Sequence, residues 1–319
     1  MCGDAGTPRL ALTRAGGITC VLRFARLLVP WRRGPIPSRK KVRMRGSPFF
    51  EGVPQMEARL GEQVVKLPIF YYDGIATGAF FPAKLGALRR LMPDARISPA
   101  RLAPGLGAVG IMCFEYRDTD IGPYNELAIS VALNEPWFLP NLPGRAMLAG
   151  IRRRQLHGWV HHLPVTTEIA RVGGVELYNY PKFIGGIEFE QTDGQRVCRL
   201  TEGKEHILTL PVERIATPRS EQFQLFSHLW MDRQPQSSEF KINAIQMGNS
   251  VRPGAAPLEL GDNHPIAREL ADLLVSRHPI LYQYAPRFEG ILYGPEHLTL
   301  PLIDRLAARS GAGDRVAVA

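Results

Sequence analysis

The chain has few of the features that mark the commonest chemistries. Its 319 residues include four cysteines, Cys2, Cys20, Cys113 and Cys198. No two of them have the spacing of a zinc or dithiol motif. A disulfide framework or cysteine-based metal module is therefore not expected. The set reads as reduced and intracellular, with Cys113 and Cys198 buried inside apolar strands. No serine or cysteine sits in a nucleophile elbow, and the glycine pairs form no phosphate loop. Long apolar runs are scarce too. The stretch 18–31 is interrupted by Arg23 and Arg26 and is too short for a bilayer, which takes about 20 apolar residues. No other segment approaches that length, so no membrane partner is expected.

Acidic residues are almost missing from the first 45 positions, where eleven arginines and lysines face the single acid Asp4. The net charge of +9 belongs to this leader, because the other 274 residues hold 28 basic and 29 acidic side chains. A neutral body lacks the electrostatic footprint that nucleic acid requires. The leader fits a targeting peptide, a disordered basic arm, or a start codon placed too early with Met44 as the true start; the last is favoured. The expected organisation is a leader over residues 1–45, a single domain over 46–310 and a flexible tail over 311–319. The length also accommodates two smaller domains.

The body reads as strands with a few helices. Extended patterns cover 107–116, 126–133, 155–162, 187–190, 197–200, 206–211, 240–246 and 288–293. Asp193-Gly194 marks a tight hairpin, since that pair tolerates positive φ. Leu85, Leu88 and Leu91 form a helical stripe ended by Pro93, and Pro265 opens a helix through Leu274. A short helix is expected over 302–308. The excess of strands without a βαβ rhythm predicts a mainly β chain with an antiparallel or barrel-like sheet and a few helices.

Against this background one residue stands out. Lys182 closes the apolar, aromatic run Gly173-Gly174-Val175-Glu176-Leu177-Tyr178-Asn179-Tyr180-Pro181-Lys182-Phe183-Ile184, which reads as extended. On that reading Tyr180, Lys182 and Ile184 share one dry face. An ammonium withdrawn from water loses its proton more easily, and the neutral amine attacks ketones to form Schiff bases. For a lysine in such a segment the commoner reading is a solvated ammonium whose stem covers apolar surface, and the local sequence alone does not overturn it.

Glu126 heads a second pattern. Leu127, Ile129, Val131 and Leu133 fall on one face of a strand, while Glu126, Ala128, Ser130 and Ala132 fall on the other. A carboxylate heading a small-residue face suits a cavity lining, and also the wet face of an ordinary half-buried strand. His161 and His162 are neighbours on a predicted strand, so they are expected to point apart and not to share an ion. No metal or cofactor site is expected.

Several motifs, in order, resemble the acetoacetate decarboxylase family. They are Ala87-Leu88-Arg89-Arg90-Leu91-Met92-Pro93, Asp118-Thr119-Asp120-Ile121-Gly122-Pro123-Tyr124-Asn125-Glu126, Trp159-Val160-His161 leading to Gly174-Val175-Glu176 and Tyr180-Pro181-Lys182, and Gln224-Leu225-Phe226. The similarity runs from about Leu67 to about Tyr293. It implies a barrel-like β fold enclosing a pocket, with Lys182 as the imine-forming lysine and Glu126 as its acidic partner. Tyr124, Tyr178 and Tyr180 are the candidate substrate-binding residues. The implied protein is a cytoplasmic homo-oligomer that decarboxylates a β-keto acid without a cofactor.

The chain departs from the family pattern twice. Phe183 stands where a second lysine follows the first, and an arginine expected upstream of Ala87 is missing, Asp73 and Gly74 offering no cation. Arg101, Arg117, Arg152, Arg153 and Arg154 are the possible substitutes, each also fitting a solvated surface charge. Without a substitute, the same iminium chemistry suits aldol-type or dehydration reactions, or the barrel binds a carbonyl or acid ligand without turnover.

Overall fold

Long strands dominate the computed structural model, which describes residues 46–295 except 61–62, 95–96, 136–139, 193, 216–219, 232–233 and 252–256. The expected leader over 1–45, the helix over 302–308 and the tail over 311–319 lie outside the described residues. The strands are β1 (Met56–Leu60), β2 (Gln63–Leu67), β3 (Ile69–Lys84), β4 (Leu106–Thr119), β5 (Tyr124–Ala132), β6 (Gln155–His162), β7 (Gly186–Gln191), β8 (Gln195–Glu202), β9 (Glu205–Glu213), β10 (Glu221–Met231), β11 (Gln234–Ser250), β12 (Glu259–Leu260) and β13 (Leu281–Leu292). The α-helices are α1 (Leu85–Leu91), α2 (Arg145–Arg153), α3 (Glu168–Tyr178) and α4 (Pro265–Leu273).

Seven strands close a barrel in the order β10-β11-β13-β3-β4-β5-β6. Its pairings are antiparallel except where β6 runs parallel to β10 and completes the ring. A four-stranded sheet, β12-β9-β8-β7, and the hairpin β1-β2 complete the sheets. Each of the eight expected strands is present, as are the helices at Leu85 and Pro265. Gly194, at φ 112°, lies in the expected turn between β7 and β8, and Thr192 N–H donates to the Gln195 carbonyl at 3.0 Å. Among the described residues, no helix is long and apolar enough to cross a membrane.

The longest unexpected element is β3. It is buried along almost its whole length, so it shows no alternation of apolar and polar residues. Gly74, Gly78 and Pro82 disguise it further. At Gly74 a side chain would collide with the Phe288 ring, at 2.6 Å, so the glycine there permits close packing across the barrel.

Two cores result. One packs the outer face of the barrel against the four-stranded sheet, α1 and α4, and contains Leu127, Ile129, Val131, Cys113 and Cys198. Burying each of the large aliphatic side chains of β5 stabilises the fold by about 1.5–3 kcal/mol. Cys113 and Cys198 are free thiols. The other core holds the aromatic rings of the barrel interior, including Tyr71, Phe114, Tyr116, Phe240 and Phe288. The alternation along β5 therefore turns the small-residue face of Glu126 inward.

Candidate active site

Val165 joins the two halves of the site. It bridges antiparallel to Glu126 and parallel to Ile184, so the start of β5 lies beside the segment that follows α3. Its N–H donates to the Phe183 carbonyl at 2.9 Å, and Gly185 N–H donates to the Val165 carbonyl at 3.0 Å. Lys182 is thereby held at Glu126, where Nζ donates to Oε2 at 2.8 Å. Only 5% of the lysine side chain and 11% of the glutamate side chain are exposed.

The run leading to Lys182 is not extended as expected, because Glu168–Tyr178 is helix α3. Ile169, Ala170, Gly173, Gly174 and Leu177 recur at helical spacing, and the two glycines conceal the pattern from a propensity reading. The helix ends where Asn179 adopts the left-handed conformation, φ 54°. Tyr180 N–H then donates back to the Gly174 carbonyl at 2.9 Å, the usual closure of such a cap. Ile184 is 44% exposed and does not share the dry face of Tyr180. Phe183 packs outward onto the outer core, so a lysine in its place would act on Lys182 through its field alone.

Gly174 is the residue that lets the lysine in. A Cβ there would fall 2.3 Å from Lys182 Cδ and 2.4 Å from Cε. The bare helix surface at this point is the groove in which the stem lies.

Tyrosines complete the polar end. The Tyr116 hydroxyl donates to Glu126 Oε1 at 3.1 Å, and the hydroxyls of Tyr71 and Tyr124 lie 2.9 Å apart. The Lys182 ammonium lies 5.9 Å from the Tyr124 ring centre and 5.7 Å from that of Tyr180. Burial, reinforced by the nearby Glu126 carboxylate, holds the Tyr116 and Tyr71 phenols well above the ordinary tyrosine range. Burial raises Tyr124 likewise and pushes Tyr180 up to about 12. These phenols stay protonated at working pH and serve as donors. Tyr178, also raised by burial, stacks behind Tyr180 with ring centres 5.3 Å apart.

A cavity of about 140 Å³ runs from this cluster into the barrel. Tyr71, Tyr116, Glu126, Tyr180 and Lys182 line one part of it, and Phe80, Met112, Leu156, His157 and Phe226 line another. Of the three tyrosines expected to bind substrate, Tyr180 lines this cavity. Tyr124 and Tyr178 instead line a smaller one, about 20 Å³, beneath α3. Lys182, Tyr71 and Tyr180 border both. Tyr71, Tyr116 and His157 also line the cavity. No local pattern marks Tyr71 or His157 for it, whereas alternation from Gly110 through Met112 and Phe114 carries Tyr116 inward.

The family model for acetoacetate decarboxylase matches residues 52–289. The chain belongs to the acetoacetate decarboxylase family. No curated protein matches it. Among solved structures, an acetoacetate decarboxylase from Legionella pneumophila is similar at a TM-score of 0.50 and 13% identity, covering 72% of this chain and 86% of the other. A second acetoacetate decarboxylase gives 0.48 and 16% over 72% and 87%. The enduracididine biosynthesis enzyme MppR, solved with pyruvate, gives 0.46 and 14% over 70% and 86%.

As a member of this family the chain lacks the expected arginine, and the described residues supply no substitute in the cavity lining. Among the described residues, no arginine lines the cavity. Arg117 follows the inward Tyr116 and so faces the other side of β4, where it pairs with Asp73 at 2.6 Å. Arg101 donates to the Asn141 carbonyl at 3.4 Å. Arg152, Arg153 and Arg154 are exposed at the end of α2.

The histidine pair corrects a second expectation. His161 and His162 do not point apart. The register between β5 and β6 slips here, Ile129 facing His162 while Ser130 faces Val160. This is a bulge, which re-aims side chains. Both Nε2 atoms reach Glu269 on α4, at 2.9 and 2.8 Å. The three donor atoms lie within 4.8 Å of one another, and each is already engaged in this hydrogen-bonded clamp. Burial holds His162 below the ordinary histidine value. Burial raises Glu269, but the hydrogen bonds from His162 and His161 outweigh it and leave the carboxyl low. A neutral His162 imidazole donating to the Glu269 carboxylate satisfies both directions.

Proposed function

We propose that the chain is a Schiff-base enzyme that decarboxylates a β-keto acid through Lys182. The observation that carries this reading is the buried contact between Lys182 and Glu126, 2.8 Å long, bordering the cavity inside the barrel. Glu126 accepts the ammonium proton along that contact, giving a neutral amine and a carboxylic acid. The amine attacks the ketone carbon. Glu126 then returns its proton to the carbinolamine oxygen, which leaves as water, and the iminium forms. The bond from the α-carbon to the carboxylate breaks, its electron pair moves into the iminium, and carbon dioxide departs. The resulting enamine takes a proton at carbon, and water releases the methyl ketone and the free lysine. Overall, one keto acid anion and one proton give one ketone and one carbon dioxide.

Tyr116 holds Glu126 on the oxygen that does not face the lysine, so the second oxygen remains directed at the reacting nitrogen. With no arginine lining the cavity among the described residues, the iminium itself is the cation facing the substrate carboxylate. That same feature favours a second reading, in which the iminium serves aldol-type or dehydration chemistry on a keto substrate without a β-carboxylate. Borohydride reduction in the presence of keto acids, followed by peptide mass spectrometry, tests the shared step. An adduct on Lys182 with stoichiometric carbon dioxide release fits decarboxylation. An adduct without carbon dioxide fits the second reading, and no adduct with any keto acid refutes both.

A further inference from the structure

We infer that the substrate carries an extended apolar tail on the ketone side, housed along β4 and β5. The inference rests on the Schiff-base reading above. Inward positions on β5 run from Glu126 through Ala128 and Ser130 to Ala132, and those on β4 from Tyr116 through Phe114 and Met112 to Gly110. These rows lie side by side, since Phe114 faces Glu126, Met112 faces Ala128 and Gly110 faces Ser130. Six residue steps at roughly 3.4 Å each make a lining about 20 Å long. Acetoacetate, with its four carbons, occupies a fraction of that length.

The chemistry of the lining changes along it. The reacting amine, the carboxylate and the phenols cluster at the Glu126 end. Beyond them lie the small residues Ala128, Ser130, Ala132 and Gly158, faced by Met112, Leu156 and Phe226. The polar groups of that half are few, and His157 is engaged with His228 at 3.0 Å and stacked on Phe226 with ring centres 4.6 Å apart. Among the described residues no lysine or arginine lines that half to pair with a second acidic head, and apart from Ser130, Ser227 and His157 the wall offered to a hydrocarbon chain is apolar. A cavity of about 140 Å³ lined along both rows leaves room for an alkyl chain beyond the reacting group. Small side chains on β5 and β6 keep that channel open where larger ones would fill it.

The test uses the full chain and a series of straight-chain 3-oxo acids of four, six, eight and ten carbons, assayed by carbon dioxide release and by borohydride trapping. Each methylene moved from water into apolar surroundings contributes ~0.8 kcal/mol, which is about a fourfold rise in kcat/KM. The expected result is a rise of that order per methylene across the shorter members. In Ala132→Leu, which narrows the channel away from Lys182, the ratio of eight-carbon to four-carbon kcat/KM falls. Should that variant not fold, the series on the unaltered chain decides alone. A flat or falling series, with Lys182 still trapped by the four-carbon acid, overturns the tail and leaves the Schiff base standing. Failure to trap any member of the series overturns the Schiff-base reading, and the tail with it.

Discussion

Gly174→Ala separates the chemistry of Lys182 from the stability of the fold. The added methyl would lie 2.3 Å from Lys182 Cδ and 2.4 Å from Cε, where ordinary contact begins at 3.4 Å. Something must give, and the flexible lysine stem yields more readily than the backbone of α3. The stem retreats by about 1 Å, and a misplacement of that size costs on the order of a hundredfold in rate. Meanwhile alanine replaces glycine inside a helix, which favours the folded state by about 0.5–1 kcal/mol. The expected outcome is a hundredfold drop in kcat and in borohydride trapping, with Tm unchanged or raised by about 2–4 °C. Gly86→Ala in α1 is the control, because nothing lies within 4 Å of the Cβ added there; it gains helix propensity without touching the site. Wild-type turnover and trapping in Gly174→Ala would show that the groove is not what seats the lysine. A loss of several kcal/mol in stability would show that the helix yields instead, and would equally refute the reasoning.

Other substitutions and conditions probe the remaining parts. Lys182→Arg keeps a cation in place but cannot form an imine, since a guanidinium does not give up its proton; trapping and turnover should both vanish while circular dichroism is unchanged. Glu126→Gln retains shape but removes the proton acceptor, and kcat should fall by 10²–10⁴, the usual range for a general acid–base. Tyr116→Phe removes a buried hydrogen bond to a charged group, worth roughly 1.5–3 kcal/mol of stability, so the unfolding midpoint should fall by several degrees and kcat should drop as Glu126 loses the donor that holds it. Acid should loosen the α4 clamp. His162 is held below its unfolded value and Glu269 is also low, so both contribute stability that is complete at higher pH and lost as pH falls, His162 from about 6.5 downward and Glu269 further into acid. Tm measured against pH should decline below that value, and His162→Gln should flatten the upper part of the decline.

How much of this was legible in the sequence depends on how locally each feature is encoded. β5 was readable because one of its faces is apolar and the other small, a pattern of period two that needs no partner to be seen. The helix at Pro265 announced itself through a proline start and apolar spacing. β3 was not readable, because burial on both faces erases alternation and its glycines resemble breaks. α3 was missed for the opposite reason. Gly173 and Gly174 are poor helix formers, retained where Gly174 gives room to a side chain eight positions further along. The histidine pair misled because alternation holds only while the register does, and the bulge in β6 depends on pairing with β5.

The order of residues alone set the inward row of Glu126, Ala128, Ser130 and Ala132, the apolar company of Lys182 and the lack of any arginine in the sequence between Arg59 and Arg89, because each is a property of consecutive side chains. Only the folded barrel decided that the amine and the carboxylate meet. They are 56 positions apart, and Val165, a residue with no chemistry of its own, draws them together by pairing with both. Distance in space between remote segments is settled by strand pairing and packing across the whole ring, and no local pattern carries that information.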